Sequence, residues 1–124
     1  MKDFKQTHCD RHLVELIFQY GRYLLIASSR PGGTQPANLQ GIWANKIQTP
    51  WNGDYHTDVN VEMNYWPAEV TNLSEMQLPL VDLIQSPVEP GSKTAAVQYH
   101  NDGWVVHPIT NVWGYTSPDG AQPG

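Results

Sequence analysis

Residues 56–69 read HTDVNVEMNYWPAE and combine polar side chains with an apolar pattern. Apolar residues recur three or four positions apart through this stretch and just beyond it, which is the spacing of one helix face. They are Val59, Met63, Trp66, Val70 and Leu73. Pro67 interrupts the run and predicts either a kink or the start of a new helix. The stretch therefore predicts helical structure from residue 58 to about residue 86.

The same spacing occurs upstream, where it predicts a helix over residues 10–28. Asp10 is suited to cap its first turn, and Pro31-Gly32-Gly33 requires it to end by residue 30. The apolar stripe of this helix consists of Leu13, Leu16, Ile17, Tyr20 and Leu24.

Two shorter helices are predicted downstream. Ser74 and Gln77 have the spacing of a capping box, which predicts a helix over residues 75–85. A further helix is predicted from residue 90 or 91 to residue 100, ended by the turn sequence Asn-Asp-Gly. Residues 104–113 are expected to be extended or looped, and the Gly/Pro-rich end of the chain, including residues 119–124, is expected to be a loose tail.

A long connection, residues 30–57, separates the first two helical regions. Loops of this length are uncommon in compact domains and are often functional. This one carries Trp43, Trp51 and Tyr55, which are unusual in a solvated linker. The pattern indicates an all-α segment of a larger helical domain, with long loops that bear aromatic residues.

The bulk composition limits the classes of partner. The 124 residues carry a net charge of −5 and no basic cluster, which argues against nucleic acid or an anionic membrane surface as partner. The single cysteine excludes an internal disulfide. The first six residues lack the apolar core of a signal peptide, and the longest apolar run, residues 23–27, is too short to span a bilayer.

Polar residues alternate with less polar ones from His56 through Asp58 and Asn60 to Glu62. In an extended chain all four would point to one face. In a helix starting near residue 58, Asp58 and Glu62 would stack one turn apart, with His56 just ahead. Both geometries collect imidazole, carboxylate and carboxamide groups at one place. Aromatic faces are available beside them from Trp51, Tyr55, Tyr65 and Trp66.

This mixture suits a sugar, whose hydroxyls need donors and acceptors and whose C–H faces stack on aromatic rings. Glycoside cleavage also needs a protonated carboxyl group and a group that directs water at the anomeric carbon. A structural interpretation competes with this one. Asp58 could merely cap the following helix, Tyr65 could be a core residue, and Trp51 could be a wedge that fixes its loop.

Four segments, in order along residues 13–118, are similar to one enzyme family. They are SRPGG with PANLQGIW (within 24–43), WNGDY (51–55), HTDVNVEMNYWPAE (56–69), and GWVVH with TNVWG (103–114). Together they resemble the α-L-fucosidases of glycoside hydrolase family 95. The resemblance implies an (α/α)6 barrel with its active site in the mouth of the toroid. It also implies an inverting hydrolase that removes terminal α-L-fucose, typically 1,2-linked to galactose.

The resemblance assigns roles to individual residues. In the family an Asn-x-Asn pair positions the attacking water, helped by a distant aspartate. The second member matches Asn60, and the first falls on Asp58, which departs from the usual asparagine. The preceding histidine, which contacts the sugar, matches His56. Trp51, Tyr65, His107 and Trp113 are further expected to bind substrate, with packing of Trp113 under its loop as the alternative.

The family's general acid is a glutamate well downstream of this motif, and neither Glu62 nor Glu69 matches its place. We therefore expect residues 1–124 to form a partial catalytic domain that is inactive alone. Its barrel-facing apolar surface would be exposed and could mediate self-association. A secreted or periplasmic location is expected for the parent protein by resemblance.

The expected partner is a fucosylated oligosaccharide, with no metal and no organic cofactor. Three alternatives stay open. Because Asp58 departs from the family pattern, the preferred sugar could be L-galactose, which differs from L-fucose by a hydroxyl on C6. The chain could also belong to a carbohydrate-binding protein on a decayed hydrolase scaffold, or it could be a purely structural helical segment.

Overall fold

The computed structural model describes residues 10–118, which are helix-rich. Helix α1 (Arg11–Ser28) begins where predicted, because the Asp10 side chain accepts a hydrogen bond of 2.9 Å from the backbone N–H of Leu13. It ends at Ser28, before the Pro-Gly-Gly sequence. The prediction of a helix over residues 10–28 is confirmed.

Helix α1 buries little of its apolar surface. Leu25 and Ser28 are its only buried residues, and the Arg22 guanidinium donates to the carbonyl of Thr71. The predicted stripe is mostly exposed, since Leu16, Ile17 and Tyr20 each leave more than half of their surface in solvent. An apolar stripe of this kind is typical of a helix face that packs against other elements.

Two short helices follow the long connection. Helix α2 spans Asn60–Tyr65 and helix α3 spans Pro67–Val70, with Trp66 in helical conformation between them. Proline occupies the first turn of α3, where its missing N–H costs nothing. Pro67 therefore begins a new helix, which was one of the two predicted outcomes.

The predicted helix over residues 75–85 consists of a 3₁₀ helix, Ser74–Gln77, and helix α4, Leu78–Gln85. The predicted capping box is wrong. The Ser74 hydroxyl donates to the Glu69 carboxylate at 2.6 Å, and the Gln77 side-chain amide donates to the same carboxylate. A charged acceptor just upstream attracts both donors, because hydrogen bonds to ionised groups are stronger than those to neutral ones.

The predicted helix from residue 90 or 91 to 100 starts earlier, as helix α5, Val88–Thr94. It continues into a π-helical turn, Ala95–Tyr99, and ends at His100, which has a left-handed backbone with φ 54°. Gly91 in α5 is buried against the backbone of Val105, whose carbonyl oxygen would lie 2.6 Å from a β-carbon at this position. Only glycine fits this contact without displacing the segment after the helix.

One short strand pair links the long connection to the last part of the described chain. Strand β1 (Tyr55–His56) pairs antiparallel with strand β2 (Ile109–Thr110), with Tyr55 opposite Thr110 and His56 opposite Ile109. The backbone N–H of Thr57 extends the pairing by donating to the Pro108 carbonyl at 2.8 Å. This pair fixes the position of the residues that lead into α2.

The core is small and lies between α1, the long connection and helices α2 to α4. Its buried members are Leu25, Ala37, Tyr65, Ala68, Leu73 and Met76, with Leu80 packed against them. Within residues 10–118, no helix is both long and apolar enough to cross a bilayer.

Candidate functional site

We call His56, Asp58, Asn60 and Glu62 the polar row. As a whole, this row adopts neither of the two predicted geometries. His56 lies on β1 and is partly buried, Asp58 lies in a turn, and Asn60 is the first residue of α2. Asp58, Asn60 and Glu62 are all exposed. Their side chains make no hydrogen bond or ion pair with other residues in the part of the chain described here. Carboxylate and carboxamide groups are thus free to meet a ligand.

The turn that separates Asp58 from Asn60 has a strained backbone. Val59 has φ 79° and ψ −21°, in the left-handed region, which β-branched residues rarely adopt. Its carbonyl accepts from the N–H of Met63 at 2.9 Å, so Val59 caps the helix with its backbone. No side chain caps α2, and the alternative that Asp58 serves as its cap is wrong.

Trp51 and His56 lie together in the structure. Their rings meet edge to face, with centroids 6.1 Å apart and planes at 86°. Trp51 is 75% exposed and sits in a turn with left-handed backbone at Trp51, Asn52 and Gly53. An open indole face beside an imidazole is suited to stack on a sugar and hydrogen-bond to it.

Tyr65 lies in the core, which favours the structural alternative for this residue. It is 5% exposed, and its hydroxyl donates to the Ser29 hydroxyl at 2.7 Å and accepts from the Ala37 N–H at 2.8 Å. Burial raises the pKa of Tyr65, against the opposing effect of its hydrogen bonds with Ser29 and Ala37. A sugar contact by Tyr65 stays a prediction.

Tyr55, next to His56, is buried in the same way. Its hydroxyl donates to the Pro36 carbonyl at 3.0 Å. Burial raises the pKa of Tyr55 from its ordinary value of 10.0 to about 12, and the neighbouring Tyr65 hydroxyl adds to the rise. Both tyrosine hydroxyls therefore stay protonated over the neutral range.

His107 uses both ring nitrogens within the protein. Nδ1 lies 2.6 Å from the Thr116 carbonyl, and Nε2 lies 2.5 Å from the Tyr99 hydroxyl. Because a carbonyl can only accept, the neutral ring carries its proton on Nδ1, and Nε2 accepts from Tyr99. The Tyr99 ring stacks on the imidazole with centroids 5.8 Å apart. The backbone carbonyl of His107 also accepts from the Thr57 hydroxyl at 2.8 Å.

Trp113 is 89% exposed, so the alternative that it packs under its loop is wrong. It sits in the turn after β2, where its N–H donates to the Asn111 side chain at 2.9 Å. Strand β2 pairs with the strand that carries His56. Backbone hydrogen bonds of the strand pair thus join the strand that carries His56 to the strand that leads into the Trp113 turn.

Asp58 and Asn60 lie on an open surface. Asp58 and Asn60 are absent from the walls of four cavities among residues 10–118, whose volumes are about 290, 270, 490 and 110 Å³. Thr57 and Glu62 line the cavity of about 270 Å³, whose other walls are mainly apolar. Residues 10–118 hold no group of three or more His, Cys, Asp or Glu suited to a metal ion.

Comparison with known families places the chain among the catalytic domains of glycoside hydrolases. Residues 1–123 match the family described as Glycosyl hydrolase family 95 catalytic domain. The chain belongs to this family, in agreement with the resemblance of its four ordered segments.

Three relatives extend the comparison. The chain is 53% identical over 119 residues to the Alpha-L-fucosidase 2 of Arabidopsis thaliana. It is 40% identical over 112 residues to the Probable alpha-fucosidase A of Aspergillus oryzae, and 42% identical over 110 residues to that of Aspergillus niger. These matches cover 96%, 90% and 87% of the chain. The same matches span only 14%, 15% and 14% of the lengths of the three relatives.

Proposed function

We propose that the protein containing these residues is an inverting α-L-fucosidase that releases terminal α-1,2-linked L-fucose from oligosaccharides. The observation that carries the proposal is the pairing of His56 with the open Trp51 ring, followed along the chain by the exposed side chains of Asp58 and Asn60. It occurs in a chain of family 95 whose relatives carry fucosidase names. In this proposal the row forms one wall of the mouth of an (α/α)6 barrel.

Asn60 positions the attacking water. A carboxamide barely accepts a proton, so it orients water through its oxygen and needs a carboxylate to polarise that water. Asp58 supplies one, two residues away and unpaired. Inversion requires water to attack the face opposite the leaving group, while a protonated carboxyl group assists departure. The general acid lies outside residues 1–124, so this chain alone does not hydrolyse the substrate.

The remaining residues of the proposed site bind the sugar or support the elements that carry the site. His56 donates to or accepts from a sugar hydroxyl, and Trp51 provides a stacking face for the sugar C–H groups. Trp113, with most of its indole in solvent, offers a second stacking face. His107 holds the strand pair through the hydrogen bond that its carbonyl accepts from Thr57, and we propose that it lines the substrate pocket of the complete domain. The parent enzyme acts in a secreted or periplasmic location, where fucosylated glycans occur.

Asp58 also favours a second candidate substrate, a terminal α-L-galactoside. L-galactose carries a hydroxyl on C6 that L-fucose lacks, and an unpaired carboxylate is a strong acceptor for a hydroxyl. A pocket without such a contact rejects an added hydroxyl only weakly. The two sugars are therefore compared directly in the experiment.

The test measures sugar release by the full-length protein from α-1,2-fucosyl lactose and from the matching L-galactoside. We expect Asn60→Ala to lower kcat by about 10²-fold or more, because a misdirected water removes one arm of acid–base catalysis. Asn101→Ala is the matched control, since Asn101 is an exposed asparagine after α5 and lies outside the polar row. No release of either sugar by the folded protein would contradict the hydrolase proposal and favour sugar binding.

A further inference from the structure

A single peptide unit, between Pro36 and Ala37, is held by two tyrosines. The Tyr55 hydroxyl donates to the Pro36 carbonyl at 3.0 Å, and the Ala37 N–H donates to the Tyr65 hydroxyl at 2.8 Å. The carbonyl and the N–H belong to the same peptide bond. Both tyrosines are buried, with 4% and 5% of their surface exposed. Each bond is therefore shielded from competition by water.

The bonds continue into the core in one direction. Tyr65 donates to the Ser29 hydroxyl at 2.7 Å, and Ser29 donates to the Met76 carbonyl at 2.8 Å. In this series of hydrogen bonds, which runs from the Ala37 N–H through Tyr65 and Ser29 to the Met76 carbonyl, every donor has an acceptor. Aligned hydrogen bonds of this kind strengthen one another. The peptide unit is thus anchored to the end of α1 and to the 3₁₀ helix before α4.

The two tyrosines bracket the polar row. Tyr55 immediately precedes residues 56–64, and Tyr65 immediately follows them. Within this segment Asp58 and Asn60 have no side-chain partner among residues 10–118, and the turn between them is strained at Val59. The positions of Asp58 and Asn60 therefore depend on how the ends of the segment are fixed.

We propose that Tyr55 and Tyr65 are positioning residues, which clamp both ends of segment 56–64 to the Pro36–Ala37 peptide and so fix Asp58 and Asn60. The inference rests on the proposed function, since it concerns the geometry of that site. In this role the two tyrosine hydroxyls act on the site through the backbone of segment 56–64.

Tyr55→Phe and Tyr65→Phe each remove one hydroxyl and keep the ring that fills the core. Either change leaves a buried backbone group without its partner and loosens one end of the segment. We expect each to lower kcat on the order of 10-fold, because displacements near 1 Å at a reacting centre cost up to 10²-fold. Since both hydroxyls hold one peptide, the loss in the double variant should be smaller than the product of the two single losses.

The experiment uses the full-length protein, with kcat and KM measured for both single variants, the double variant and two controls. Tyr115→Phe makes the same chemical change at a partly buried hydroxyl that donates to Pro118. Leu73→Val perturbs the same core without touching the clamp. Amide hydrogen exchange of peptides covering residues 36–37 and 56–64 is recorded in parallel and does not depend on activity.

Lower kcat with near-normal KM, together with faster exchange confined to these peptides, would support the clamp, and both controls should lack this combination. If the double variant does not fold, the single variants give the same test. Unchanged kcat in both single variants of an active enzyme would overturn the inference, as would exchange that rises evenly across the protein. An inactive wild-type protein would refute the proposed function, whereas unchanged exchange in the tyrosine variants would refute the clamp independently.

Discussion

At the scale of single residues, the most informative feature is the left-handed backbone of Val59. A non-glycine residue in this conformation costs about 1–3 kcal/mol and persists only when its surroundings enforce it. Here the enforcing surroundings are the strand pair before it and helix α2 after it. The strained residue lies between Asp58 and Asn60, to which we assign the positioning of the attacking water. A rigid turn at this point keeps the spacing of Asp58 and Asn60 fixed.

Glycine at position 59 should relieve this strain. The relief is offset by the greater freedom of glycine in the unfolded chain, about 0.5–1 kcal/mol, so we expect Val59→Gly to be as stable as the wild type or slightly more stable. Val61→Gly is the control, because Val61 is buried two residues later on α2 and its loss should cost about 3 kcal/mol. Thermal unfolding of the full-length protein measures both. A clear drop for Val59→Gly would contradict the assigned conformation.

At the scale of elements, two buried tyrosines connect β1 and α2 to the long connection. Their hydroxyls are protonated in the folded state, and burial raises the pKa of Tyr55 to about 12. The unfolded chain loses the same proton near the ordinary value of 10.0. Between these pH values the folded state binds more protons, so stability falls as pH rises through this window.

Tyr55→Phe removes this titration and should flatten the alkaline part of the stability profile. We expect the variant to be less stable than the wild type at pH 8, because the Pro36 carbonyl loses its donor. Its unfolding temperature should then decline less steeply above pH 10. The comparison is made by thermal unfolding from pH 8 to pH 11.5, with the exposed Tyr20→Phe as control. Parallel declines in wild type and Tyr55→Phe would refute a buried, protonated Tyr55.

The elements also show how far the sequence could be interpreted. The helices over 10–28 and 90–100 follow from spacing and end signals, which are local. Nothing local marks Val59 as left-handed, because neither glycine nor asparagine stands there. The link from Tyr55 to Pro36 and the preference of Ser74 for Glu69 depend on tertiary placement. The strand pair joins residues more than 50 positions apart through strands of two residues each, too short to show a period.

The composition of the candidate site stays a prediction, and its arrangement could not be predicted from the sequence. The proximity of Trp51 and His56 matches the expectation of one cluster. The burial of Tyr65 could not be inferred, because Tyr65 lies outside the predicted apolar stripe, whose members Met63 and Trp66 are exposed. The internal partners of His107 come from Tyr99 and Thr116, which no motif connects to it.

At the scale of the whole molecule, exposed apolar surface is the dominant feature. Helix α1, the long connection and the junction of α2 and α3 leave large aliphatic and aromatic side chains in solvent, among them Leu16, Ile17, Phe18, Ile47 and Trp66. Surface of this kind favours contact with other protein. Self-association of the 124-residue chain stays a prediction, and sedimentation velocity at several concentrations would test it. The (α/α)6 barrel of the proposal would cover much of this surface with neighbouring helices.

The anomeric configuration of the fucose released by the full-length protein would show whether water attacks the anomeric carbon in a single displacement. Proton NMR during the first minutes of hydrolysis separates the two anomers before mutarotation mixes them. If Asn60 and Asp58 direct water at the anomeric carbon in a single displacement, β-L-fucose appears first. If α-L-fucose appears first, the enzyme retains configuration through a covalent intermediate, and the role assigned to Asn60 and Asp58 is wrong.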